Sequence, residues 1–195
     1  MKQVGSYRMA LATRYWQAAR LVIQHQIRPV EHLEPVGYLL AMCSEIALKA
    51  FLSEKGMSDD QLAKRLGHDL TKCLRQAIDK GLQLGEREAE CILNMRDAHM
   101  NHFNRYGMPS INGKLKLGAV LLTDEVQSLE CTAILIDRIS EKPNVLRDRH
   151  QHPAPLSWPM PPAIEQPITL HNLDQINQRI RERLKVVELV NSRHP

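Results

Sequence analysis

Apolar residues recur at three- and four-residue steps through most of the chain, and each such run predicts a helix. Met9, Ala12, Trp16, Ala19 and Ile23 place one face of a helix over about residues 6–27, with Ser6 as a suitable N-cap. Pro29 and Pro35 bracket a short connection. Val36, Leu39, Leu40, Cys43, Ile46, Ala47, Ala50 and Phe51 then form a broad stripe over about 33–55, with Gly56 in the position that ends a helix. Glu45 and Lys49 are four apart in the favourable order, an ion pair worth a few tenths of a kcal/mol if exposed. Ser58 and Asp59 can cap a short helix over about 59–66. After Gly67, His68 or Asp69 starts another that runs to about Lys80 and stops at Gly81. A fourth amphipathic run begins near Glu86, with acidic residues in its first turn. Its stripe is Ala89, Ile92, Leu93, Arg96, then His99 or Met100, then Phe103, so polar groups occupy apolar positions at its far end.

Residues 106–119 are turn-rich and fit a loop or a small hairpin around Asn112-Gly113. Thr123 or Asp124 caps a helix to about Glu141, with the stripe Leu122, Val126, Leu129, Ala133 and Ile136. The fold class expected is all-α: an antiparallel bundle of about five helices over residues 1–142. Seven of the eleven prolines lie between Pro143 and Pro167, which excludes helix interior and predicts an extended arm over 143–170. A last amphipathic helix, within 171–195, carries Leu173, Ile176, Ile180, Leu184, Val187 and Val190 on one face and basic residues on the rest. That stripe needs a cover: its own bundle, a second protomer, or another partner.

Composition agrees with helices, since aromatics are only 4% of 195 residues and Leu, Ile, Ala and Met supply most apolar side chains. A net charge of +4 permits an anionic partner such as RNA without demanding one. Cys43, Cys73, Cys91 and Cys131 form no CxxC pair and fall within apolar helical patterns. They read as reduced core thiols and suggest a cytoplasmic protein. No signal peptide and no membrane span are expected.

The order of the pieces carries a resemblance. "YLLAMCSEIALKAFLSEKG", a spacer, "GHDLTKCLRQAIDKG", and a later helix ending in arginine and histidine resemble the core of the HEPN superfamily of helical-bundle domains, over about residues 6–141. Many HEPN proteins are metal-independent ribonucleases whose signature is Arg, a polar residue, a short spacer and His. The matching positions are Arg96, Asp97 and His102, with five residues between Arg96 and His102. The resemblance implies that Arg96 and His102 are catalytic, with Asp97 orienting them and His99 as an accessory. Arg105, Lys49 and His68 are the RNA- or nucleotide-binding candidates around them. It further implies a homodimer, no cofactor, and the role of a toxin or defence effector, with a cognate antitoxin or partner protein engaging residues 143–195. Other HEPN relatives lack the motif and bind RNA or nucleotides, or scaffold assemblies. Where some HEPN toxins carry a tyrosine just past the histidine, this chain has Asn104, with Tyr106 nearby.

The residue types suit metal-free RNA cleavage. Histidine exchanges protons near neutral pH, and the planar guanidinium of arginine grips phosphate through two aligned hydrogen bonds. Six residues of helix separate Arg96 from His102 by about 9 Å of rise and about 240° of rotation. The two therefore face different ways on one straight helix, and a shared cleft between two copies would reunite them. Each residue also has a plainer reading. Arg96 can pair with Asp69 or Glu45, His68 can cap or pack, and His99 can be a hydrogen-bonded core histidine. His102 can cap the helix end, with Arg105 to Gly107 closing it. A metal held by His99 and His102, with His68 or Asp97 as third ligand, is a weaker alternative, and none is expected.

Overall fold

A computed structural model describes residues 2–28, 32–100, 110–111, 114–115, 124–140, 164 and 166–191, with side chains described only from residue 7 and up to Leu184. The elements are α1 (Lys2–His25), α2 (Leu33–Glu54), α3 (Asp59–Gln61), α4 (Leu70–Asp79), α5 (Glu86–Asn94) and α6 (Arg96–Met100). They continue with a two-residue antiparallel pair, β1 (Ser110–Ile111) and β2 (Lys114–Leu115), then α7 (Glu125–Ser140) and α8 (Leu170–Asn191). Apart from that short pair and the connections, the described residues form a helical bundle. The small pair, Ser110 with Leu115 and Ile111 with Lys114, lies within the stretch where a hairpin is one of the two expectations; Asn112-Gly113 themselves are outside the described residues.

Helices α1 and α2 are joined by a short connection and pack along their length, which makes them an antiparallel hairpin. Helix α7 lies against both, and the indole N–H of Trp16 donates to the Leu129 carbonyl at 2.9 Å. Helix α2 is long and apolar enough by composition to cross a bilayer, yet most of its apolar length is buried within the protein. It is the central core helix: Leu40, Ala41, Cys43, Ala47, Leu48 and Leu52 are all sealed from solvent. All four cysteines are buried and unpaired. Burial pushes the Cys73 thiol up to about 12, so it stays protonated.

Local signals explain most element ends. Ser58 and Gln61 form a reciprocal capping box. Asp69 caps α4 by accepting from the Thr71 and Lys72 amides, and Asp124 caps α7 in the same way through Val126 and Gln127. Gly56 and Gly81 adopt positive φ after α2 and α4, where a left-handed residue ends a helix without strain.

Several expectations need correction. Helix α1 starts at Lys2, so Ser6 lies inside it rather than capping it. The segment after α3 is a π-helical turn, Leu62–Leu66, closed by Gly67 at φ 55° and ψ −130°, a conformation reserved for glycine. The helix from Glu86 is interrupted at Met95, where α5 gives way to α6. On α7, Val126 is 54% exposed while Glu125 and Ser128 turn inward. The rest of the described stripe faces inward, with Ala133 and Ile136 fully buried and Leu129 packed against the core, and the Glu125 carboxylate accepts from Gln26 at 3.0 Å.

Helix α8 lies on the bundle. Thr169 caps it, the Thr169 hydroxyl accepting from the Asn172 amide and the Asn172 carbonyl from the Thr169 amide. Leu173, Ile176 and Ile180 are buried in the shared core. Arg179 reaches Glu86 and Arg183 reaches Glu90, so α8 runs parallel to α5. Asp174 meets Arg75 and Asn177 meets Thr71, so it runs antiparallel to α4. Among the described residues, its stripe is covered by its own chain. The proline-rich arm lies almost wholly outside the described residues.

Candidate functional site

Three elements converge on one carboxylate. Glu45 projects from the middle of α2, His68 from the turn before α4, and His99 from α6. Glu45 Oε1 accepts from Lys49 Nζ at 2.7 Å, and Oε2 lies 2.7 Å from His99 Nε2. His68 Nδ1 lies 3.1 Å from both oxygens. An ionised carboxylate only accepts, so the facing ring nitrogens carry the protons. The surroundings grade from dry to wet: Glu45 is 4% exposed and His99 1%, whereas His68 is 61% exposed. Burial alone would raise the Glu45 pKa. Hydrogen bonds from His99, Lys49 and His68 outweigh it and hold the carboxyl at about 2.

A second carboxylate sits one residue beyond His68. Asp69 caps α4 and also receives the Arg96 fork, from Nε to Oδ1 at 3.0 Å and from Nη2 to Oδ2 at 3.2 Å. The remaining Arg96 nitrogen, Nη1, donates to Asp97 at 2.6 Å. Burial pushes the Asp69 pKa up, but Arg96 and the two amides bring it below its usual range. The Arg96 pKa is raised, chiefly by the Asp69 bond. Two-point contact fixes the plane of the guanidinium, and the side chain stays 30% exposed.

The structure thus places Arg96, Asp97, His99, His68 and Lys49 in one neighbourhood, with Glu45 and Asp69 as the hubs. His102 and Arg105 lie outside the described residues. Lys49, largely buried, pairs with Glu45 as its spacing allows, and the carboxylate it meets is in the interior rather than at the surface. His99 has the character of a core histidine, with its ring sealed against Glu45. Arg96 takes Asp69, one of the two structural partners named for it. The component missed from sequence is Glu45 as the hub. It lies 54 residues from His99 and 23 from His68, and no local pattern links them.

Glu45, His68 and His99 are also the only group of potential metal ligands found together among the described residues. The arrangement opposes a cation in two ways. The Lys49 ammonium already occupies Oε1. Ligation through His99 Nε2 would also move that ring's proton to Nδ1, which is buried without a partner.

Compared with known protein families, curated proteins and solved structures, the chain matches none of them.

Proposed function

We propose that this chain is a HEPN-type, metal-independent ribonuclease of the cytoplasm, an effector of a defence or toxin–antitoxin system. In this reading it works as a homodimer in which Arg96 of one copy and His102 of the other meet one RNA phosphate. The observation that carries the reading is Arg96. Its guanidinium is set in one orientation by both oxygens of Asp69 and remains partly open to solvent where the apolar stripe of α5 turns polar. A prepositioned guanidinium stabilises a phosphorane-like transition state without first being ordered. Asp97 restrains its third nitrogen. His102 would donate or accept the proton, and residues 143–195 would engage a cognate antitoxin or partner protein.

The test is cleavage of RNA in EDTA by the wild type, Arg96→Ala and His102→Ala. Cleavage by the wild type and its loss in both variants is the expected result. An inactive wild type that still shifts RNA in a gel would replace this reading with a second one, a non-catalytic HEPN module that binds RNA or nucleotide or mediates assembly. One feature favours that second reading: Asp69 and Asp97 both lie on Arg96 and offset its charge towards phosphate.

A further inference from the structure

We infer that His68, held by Glu45, is the general base of the site, and that it acts with Arg96 from the same chain. The inference rests on the ribonuclease reading and adds to it an exposed histidine next in sequence to Asp69, the residue that holds Arg96.

His99 cannot take this role because its ring is sealed in the core. His68 is the exposed member of the Glu45 cluster, and its Nδ1 is bonded to both carboxylate oxygens. With the Nδ1 proton directed at Glu45, the neutral ring presents its Nε2 lone pair as the basic atom. Glu45 cannot swing away, because Lys49 and His99 bind its two oxygens from the interior. The π-helical turn and Gly67 set the chain direction just before His68, and the Asp69 amide is tied to the Leu66 carbonyl at 3.2 Å. His68 and Asp69 are consecutive, and Asp69 holds the Arg96 fork. Base and phosphate-binding cation are therefore anchored on neighbouring residues at the start of α4.

In the step itself, His68 Nε2 takes the proton of the ribose 2′-hydroxyl. The 2′-oxygen forms a bond to the adjacent phosphorus, the bond from phosphorus to the 5′-oxygen breaks, and that oxygen leaves with a proton from solvent water. The products are a 2′,3′-cyclic phosphate and a 5′-hydroxyl. Glu45 is a positioning residue: it sets the tautomer and touches no substrate.

The experiment is single-turnover cleavage of an RNA oligonucleotide in EDTA by full-length wild type and His68→Ala, with and without free imidazole, and with melting curves for both proteins. His68→Ala should fold as the wild type does, since the side chain is exposed. It should lose on the order of 100-fold or more in rate, the usual contribution of a general base, and imidazole should restore part of it. Full activity of His68→Ala overturns the assignment and leaves the ribonuclease reading intact, as does a loss that imidazole leaves unchanged. A wild type that cleaves no RNA overturns the ribonuclease reading, and the assignment falls with it. Wild-type activity abolished by EDTA and restored by Zn²⁺ would give Glu45, His68 and His99 to a metal instead.

Discussion

Glu45 and Glu86 each carry a salt bridge between helices or turns, but they work on different terms. Glu45 is sealed in the core and receives Lys49, His99 and His68 together. Glu86 is 60% exposed and meets Arg179 of α8 across open surface. Removing a buried charge from water is costly, and the cost is recovered only when every partner is in place. At the surface, solvent competes with the pair and salt screens it. The interior members of the cluster, Glu45, Lys49 and His99, therefore depend on one another, while His68 meets them from the surface. The surface pairs set the register of α8 against α5, while its attachment comes from Leu173, Ile176 and Ile180 beneath them.

The largest effect follows from emptying the buried hub. Glu45→Ala leaves buried His99 and part-buried Lys49 without their acceptor and should cost about 3–5 kcal/mol at neutral pH, read from urea unfolding. The sign with pH is fixed by the carboxyl. Its folded pKa, about 2, is below its ordinary value of 4.5. The stabilisation is thus fully present above the unfolded value and drains away as pH falls from there towards 2. Wild type should lose stability over that acid range, and Glu45→Ala should show a flatter acid limb. Parallel acid limbs in the two proteins would mean that the cluster does not hold Glu45 ionised.

A core change under α8 comes next and separates attachment from register. Ile176 is fully buried, so Ile176→Ala should cost about 2–5 kcal/mol, the transfer of the lost atoms plus a cavity. Proteolysis should then release the C-terminal segment ahead of global unfolding. A cost below about 1 kcal/mol would show that α8 contributes little to the core.

The same contrast marks how far the sequence could be read. Surface logic is local and was legible: Ser58, Asp69 and Asp124 as caps, Gly56 and Gly81 as stops, and the stripe of α8 all rest on spacings of a few residues. Arg96 with Asp69 was also nameable, as one of two carboxylate partners open to a polar residue on an apolar stripe, Glu45 being the other. The hub was not. Glu45 and Lys49 have the spacing of an ordinary exposed pair, and only the arrival of α6 from 54 residues away turns that pair inward. The polar residues in the α5–α6 stripe signalled a cleft or a buried network, and periodicity cannot distinguish the two. Glu125, turned inward beside exposed Val126, likewise meets a distant donor, Gln26.

The smallest effect sharpens the surface half of the comparison. Arg179→Ala removes one rung between α8 and α5, with both partners well exposed. It should have the smallest effect of the three on the urea midpoint, and that effect is seen only at low ionic strength. Raising salt should shrink the difference from wild type further, because the Debye length falls to about 3 Å at 1 M. Glu45→Ala, measured side by side, should keep most of its deficit in the same salt, because Glu45 and His99 are shielded from the ions and Lys49 nearly so. If the two deficits shrank in proportion, the Glu45 cluster would be as open to solvent as the rungs of α8. The fixed geometry on which the His68 assignment depends would then be lost. If only Arg179 responds, the ion pairs of α8 are adjustable trim on a helix held by its apolar face, and the Glu45 cluster is part of the interior.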